Sequence, residues 1–254
     1  MAHELHPLRQ IANPRLPKSS RKPKGNGLNT RAKIKAVATK LLITHGVRGF
    51  SYAHIAKGLN ITTTNVHHHV GNKRSLVDEV VREYVAEASL RHKEIWTDPA
   101  LSLNEKIQRF VSFNLERYNK FNVGRQEGRP WSLIGRLRLD TESLSASSVR
   151  ELASFGSDLQ AYIHIAVTQA RENGELTQDA PINDIGLLLA NMVNSTAIMT
   201  QVAGNFNVVR EVFESATRVI MSGYGPVRRH TIDPYDQSVS NTTLRPQGRI
   251  AAGG

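Results

Sequence analysis

From residue 29 to residue 224 the apolar side chains recur at helical spacing and almost nowhere alternate with a period of two. Ile34, Val37, Ala38, Leu41 and Leu42 stand at i, i+3, i+4, i+7 and i+8, which predicts a helix with one apolar stripe, capped by Asn29 or Thr30 and stopped at Gly46. Ser51 then opens a short run in which Tyr52, Ile55, Ala56 and Leu59 share a face, and Asn60-Ile61 makes a tight turn. A third helix, capped by Thr62, follows through Thr63, Thr64, Asn65, Val66, His67, His68 and His69, with Ile61, Val66 and Val70 suited to a core.

The same period carries on along the rest of the chain. A fourth helix is expected over 73–96, with Leu76, Val80, Val81, Tyr84, Val85 and Ala88 inward. Ser102-x-x-Glu105 is a capping box ahead of the stripe Ile107, Phe110, Val111, Leu115 and Tyr118. A short helix after Pro130 carries Trp131, Leu133, Ile134 and Leu137, and Ser148-x-x-Glu151 opens a long helix that stops at Asn173-Gly174. Two final helices cover about 182–202 and 208–221. The fold class expected is all-α with about nine helices: a three-helix helix-turn-helix unit over 28–76, its motif near 51–70, followed by a helical bundle over 77–224. Residues 1–27, broken by Pro7, Pro14, Pro17 and Pro23, read as a mobile basic arm, and residues 225–254, without periodicity, as a disordered tail. The arm is either a solubilising tail or a segment that touches DNA phosphates or the minor groove.

Charge changes this picture more than composition does. From Leu5 to Val77 there is no acidic residue, while the stretch carries fourteen Lys and Arg; from Asp78 onward nineteen basic residues face twenty-one acidic ones. The net charge of +11 is therefore one N-terminal block, and a block of cations without carboxylates is the electrostatic footprint of phosphate-backbone binding. Attachment to a membrane surface would instead need a long amphipathic helix with bulky apolar residues. The chain has no cysteine, which removes disulfides, thiolate zinc sites and cysteine nucleophiles. No leader with an apolar centre and no run approaching about 18 apolar residues is present, which leads us to expect a cytoplasmic soluble protein.

The third helix sits inside the basic block and exposes hydroxyls, one amide and imidazoles. An Asn side chain can pair bidentately with an adenine edge, Thr can bond to bases or touch a thymine methyl, and His can donate to phosphate. His67, His68 and His69 do not form a metal site, because adjacent helical positions point about 100° apart and no carboxylate or thiolate lies near to complete a shell. Nothing elsewhere supplies a catalytic constellation: there is no Walker pattern, no Gly-x-Ser-x-Gly elbow and no His-Glu-x-x-His pair, so neither enzymatic activity nor a cofactor is expected.

The runs Gly46 to Ala56, Leu59 to Val70, then Lys73 and Leu76, resemble the N-terminal domain of TetR-family transcriptional regulators over about the first third of the chain. The family usually has Gly at Asn60, Tyr at His67 and Phe at Val70. The resemblance implies that Ser51 and Tyr52 meet the DNA backbone, that Thr63, Thr64, Asn65 and His68 face bases below the Thr62 cap, and that His67 and Lys73 reach phosphates.

The 182–202 helix is apolar on more than one side through Ile185, Leu187, Leu188, Leu189, Met192, Val193, Ile198 and Met199, so it needs cover either from a second subunit or from the earlier helices alone. The resemblance implies a homodimer on the last two helices and a small-molecule effector, its identity unreadable, between the fourth and seventh helices. Asn114, Trp131 and His164 are candidate pocket residues. The function expected is a sequence-specific, dimeric DNA-binding repressor released from its operator by the effector; the alternative is a non-specific or architectural nucleic-acid-binding protein.

Overall fold

A computed structural model describes residues 25–124 and 128–226. Among the described residues there is no strand, and nine α-helices follow in order: α1 (Gly25–His45), α2 (Tyr52–Leu59), α3 (Thr63–Val70), α4 (Lys73–Trp96), α5 (Leu103–Asn122), α6 (Leu133–Arg138), α7 (Ala146–Glu172), α8 (Ile182–Ala203) and α9 (Asn207–Tyr224). A 3₁₀ turn, Thr141–Ser143, which periodicity does not foresee, separates α6 from α7. The expected arm lies outside the described residues except for its last three, which belong to α1, and the expected tail except for Gly225 and Pro226.

Local chemistry explains most boundaries. Thr62 accepts from the Asn65 amide at 3.1 Å and Asn72 from the Ser75 amide at 2.8 Å, so α3 and α4 each start on a side-chain cap. The capping box at Ser102 and Glu105 is formed, with the Glu105 carboxylate taking the Ser102 amide at 2.8 Å. Asn60 ends α2 in the left-handed region at φ 53°, a conformation Asn tolerates better than most residues.

Two expected starts move. The first helix begins before Asn29 and Thr30, which lie inside α1, since Pro23 is the last residue that forbids helix ahead of the stripe. The long helix opens on Ser145, which accepts from the Ser148 amide at 3.1 Å; Ser148 is inside the helix and its hydroxyl donates to Asp78 at 2.6 Å. Asp78 also takes the Ser145 hydroxyl at 2.5 Å, so one carboxylate on α4 fixes the first turn of α7.

The helices α1, α2 and α3 form a head whose core is Ile34, Ala38, Leu42, Ile55 and Val66, all with no more than 6 % exposure. The helix α4 runs out of this head into a body of α5 to α9, packing along α7. An aromatic chain holds the body together: Trp96 on Phe110 with centroids 5.7 Å apart, Phe110 on Phe213 at 5.0 Å, and Tyr118 on Phe206 at 5.4 Å. Burying such rings, together with aliphatic neighbours such as Val85, Ile107 and Val209, drives the docking of α4, α5 and α9.

His92 sits inside this cluster, 5.4 Å from the Phe155 ring and 5.8 Å from Phe110, and its Nδ1 has no partner. Burial pushes the imidazole down to about 4, so it is neutral at pH 7. The unfolded imidazole takes its proton near 6.5, whereas the folded one refuses it until about 4, so the unfolded state binds the extra proton between those values. The stability His92 confers as a neutral group is complete above pH 6.5 and is lost as pH falls toward 4. Denaturant unfolding at pH 7 and pH 4.5 should show the wild type losing roughly 2–3 kcal/mol more than His92→Leu over that interval; equal losses would mean that the folded imidazole titrates like a solvated one.

Candidate nucleic-acid interface

The outer surface of α3 is made by Thr63, Thr64, Asn65, His67 and His68, all exposed, while Val66 and Val70 face the head core. The helix is short, so its orientation depends on what grips its ends. At the start, Thr62 spends its hydroxyl on the Asn65 amide, which leaves the Asn65 side-chain amide with no partner among the described residues. The Asn65 backbone amide closes the first turn of α3, and its side chain is unspent among the described residues.

At the other end, three contacts converge. The Tyr52 hydroxyl donates to the Gly71 carbonyl at 3.0 Å, His67 Nδ1 lies 3.2 Å from the same carbonyl oxygen, and the His67 ring stands edge-on to Tyr52 with centroids 4.4 Å apart. Arg31, from α1, donates to the His69 carbonyl and makes a two-point contact with Glu79 of α4, at 2.5 and 3.3 Å. Lys35 adds Glu79 at 3.1 Å and Glu83 at 2.6 Å. Burial works to raise the Glu79 carboxyl, but hydrogen bonds and charge from Arg31 and Lys35 outweigh it and hold the group below its usual range; Glu83 chiefly raises Lys35. This Arg31, Glu79 and Lys35 strap was not visible in the sequence, because nothing in the spacing pairs positions 48 apart.

The sequence-based candidates therefore separate. Ser51, Thr62, Thr63, Thr64, Asn65, His67 and His68 are exposed. Ser51 precedes α2 and its amide donates to His54 Nδ1 at 3.2 Å. Lys73 is half-buried at the start of α4, its ammonium 4.6 Å from the centre of the Phe50 ring. Tyr52, by contrast, is buried at 8 % exposure with burial raising its phenol, and it serves the α2–α3 packing.

In the body, Asn114 and Trp131 line one cavity together with Tyr84, His92 and Phe155. The Trp131 indole donates to Thr200 on α8 at 2.8 Å. His164 does not join them: it is exposed on α7 and meets Asn183 at 3.1 Å, near the start of α8. The helical register of α7 turns it away from the α4 side, where Phe155, Leu159 and Ile163 point inward.

Contacts between head and body converge on α6. Gly46 leaves α1 at φ +69°, and a Cβ there would lie 3.2 Å from both Arg136 and Asp140, so the turn needs both glycine's backbone freedom and its lack of a side chain. Next to it, the Val47 amide donates to Asp140 at 3.3 Å and the Arg48 guanidinium to Ser143 at 2.8 Å.

No family model matches this chain, and no curated protein matches it in sequence. Solved structures do match it in fold. A TetR-family transcriptional regulator from Agrobacterium tumefaciens superposes with a TM-score of 0.65 at 18% identity, over 79% of this chain and 100% of its own. A TetR transcriptional regulator from Legionella pneumophila gives 0.60 at 23% identity, over 76% and 97%. A putative transcriptional regulator from Saccharomonospora viridis, in complex with choline, gives 0.62 at 14% identity, over 78% and 99%. Structures of TetR-family transcriptional regulators thus match most of this chain at low identity, and the chain has their all-helical fold.

Proposed function

We propose that the protein is a sequence-specific DNA-binding transcriptional regulator, a homodimeric repressor released from its operator by a small molecule. The observation that carries this reading is the outer face of α3, where Asn65, Thr63, Thr64 and His68 present unspent polar groups from a head whose own sequence, up to Val77, supplies no carboxylate to repel phosphate. In this reading Asn65 reads a base edge, Thr63, Thr64 and His68 flank it, and Ser51, His67 and Lys73 hold phosphates. Tyr52 acts one step back, fixing the end of α3 through Gly71.

Dimerisation is supported by what α8 and α9 leave uncovered. One side of α8 packs on α7 and α9, yet Leu187, Leu188, Ile198 and Val202 stay 43–85 % exposed, and Val219 on α9 is 72 % exposed. An 18-residue window of α8 reaches a mean hydropathy of 1.3, enough by length and composition to cross a membrane, but its half-buried state and interior Asn and Asp side chains suit a protein interface better. Two α8–α9 pairs would form a four-helix interface and place two copies of α3 about one helical turn of DNA apart, roughly 34–36 Å.

The effector reading rests on α6. It forms a wall of the cavity through Ile134, Gly135 and Arg138, and just beyond it Asp140 and Ser143 hold the Val47 amide and Arg48. A Cβ on Gly135 would lie 2.8 Å from Ala197 of α8, so α6 cannot yield toward α8. A ligand that spreads the cavity therefore moves α6 along the path that bears on the head, shifting the population away from the DNA-competent spacing. A neighbour of the same fold holds choline, which makes small-molecule control reasonable here.

Selection of duplexes from a random pool at near-physiological salt should enrich a palindrome with the wild type. Asn65→Ala should lose about 1–3 kcal/mol for that palindrome and relax the preference at one position of each half-site. Tight, salt-sensitive binding without enrichment would instead mean that the head binds DNA as a polyanion only.

Tyr52→Phe separates positioning from contact. It should lower head stability by about 1 kcal/mol while leaving the slope of log affinity against log salt unchanged, whereas Lys73→Ala should reduce that slope by about 1. A slope reduced equally in both variants would place the Tyr52 hydroxyl on a phosphate.

A further inference from the structure

The cavity beside α6 is lined by cations without anions. Its lining contains two guanidiniums, Arg117 from α5 and Arg138 at the end of α6, and no carboxylate. Arg117 lies 4.9 Å over the Tyr84 ring and 5.3 Å from Phe113, and makes no hydrogen bond or ion pair among the described residues. Arg138 lies 5.7 Å over Phe155 and donates once, to the Asn194 side-chain oxygen at 2.7 Å. Each guanidinium has five N–H donors, so most of this hydrogen-bonding capacity is unspent.

Most other polar groups of the lining are already committed, His92 Nδ1 being an exception. Asn114 donates to the Phe110 carbonyl at 3.0 Å, Ser132 accepts from the Gly135 amide at 3.2 Å, and Thr196 donates to the Met192 carbonyl at 3.1 Å. His92 is neutral, as burial dictates. Burial likewise lowers both arginines from their ordinary values, with no carboxylate to offset it. A cation drawn partly out of water is ordinarily paired, because leaving it isolated is costly, and neither of these half-buried guanidiniums has a carboxylate partner among the described residues. Two unpaired arginines between aromatic walls match an organic anion: a carboxylate accepts two parallel N–H bonds from a guanidinium, and the rings hold an apolar body.

We propose that this cavity takes a small carboxylate with an aromatic or otherwise apolar body, its carboxylate clamped by Arg117 and Arg138. The inference deepens the effector reading above and rests on it for regulation, though not for binding. The free volume is only about 50 Å³, enough for a few waters, so a ring must push the walls apart to enter. Arg138 stands two residues before Asp140, so closing the clamp pulls on the segment that holds Val47 and Arg48.

Calorimetric titration of the full chain with benzoate, phenylacetate and 1-naphthoate, each beside its neutral amide, tests the clamp. At least one carboxylate should bind tenfold or more tighter than its amide. Arg117→Gln and Arg138→Gln should each weaken that carboxylate tenfold or more and leave the amide unchanged. Equal affinity for acid and amide, or no binding by any of the three acids, overturns the proposal. Arg117→Met guards against a folding artefact: removing an unpaired, desolvated cation should leave the melting temperature of the unliganded protein unchanged or higher, and a fall of more than about 5 °C would make Arg117 a packing residue and overturn its role. Calorimetry does not involve DNA, so a bound carboxylate that leaves DNA affinity unaltered upholds the clamp and counts against release. Release by other compounds with no carboxylate bound overturns the clamp and spares release.

Discussion

Glu79 is the residue on which the geometry of the head depends. It is among the first carboxylates after the basic block, on the first turns of α4, and it receives Arg31 and Lys35 from α1 while Arg31 also reaches the last turn of α3. One partly buried anion thus joins the three helices that orient the recognition surface. Its position also sorts the cations. Arg31 and Lys35 are paired with Glu79 and Glu83, whereas α3 has no carboxylate of its own.

Asp78, one residue earlier, does the corresponding work toward the body by holding Ser145 and Ser148 at the start of α7. Helix α4 is therefore gripped at its base from both sides and cannot tilt without straining one of them. The segment after α6 touches the head independently, through Asp140 and Ser143. Two connections of different kinds therefore join head and body, one along α4 and one leaning on the α1–α2 turn.

Much of the architecture was legible in the sequence because helical period, caps and stops are local signals. The helix spanning 73–96, the box at Ser102 and Glu105 and the stop at Asn173 lie where the spacing puts them. The misplacements have particular causes. Ser148 has the appearance of a cap, but its hydroxyl is drawn to Asp78 across 70 positions, which no local pattern can register. Asn29 and Thr30 have the chemistry of caps but no preceding breaker closer than Pro23, and α1 runs through them. The exposed polar face of α3 followed from period and charge together, whereas the burial of Tyr52 depends on the Gly71 carbonyl opposite it. In the body, Asn114 and Trp131 share a cavity as the inward stripes suggest, but His164 falls on the outer side of α7, and the unpaired state of Arg117 and Arg138 is a property of three-dimensional neighbours only.

In the proposed dimer, two copies of α3 held at a fixed spacing read two half-sites. Hydroxyl-radical footprinting on an enriched duplex, with the protein-to-DNA ratio measured in the same sample, tests it most directly. Two protected patches on one face of the DNA, centred about one helical turn apart, with two protomers bound, are expected. A single patch with one protomer, or protection spread evenly along the duplex, would contradict it.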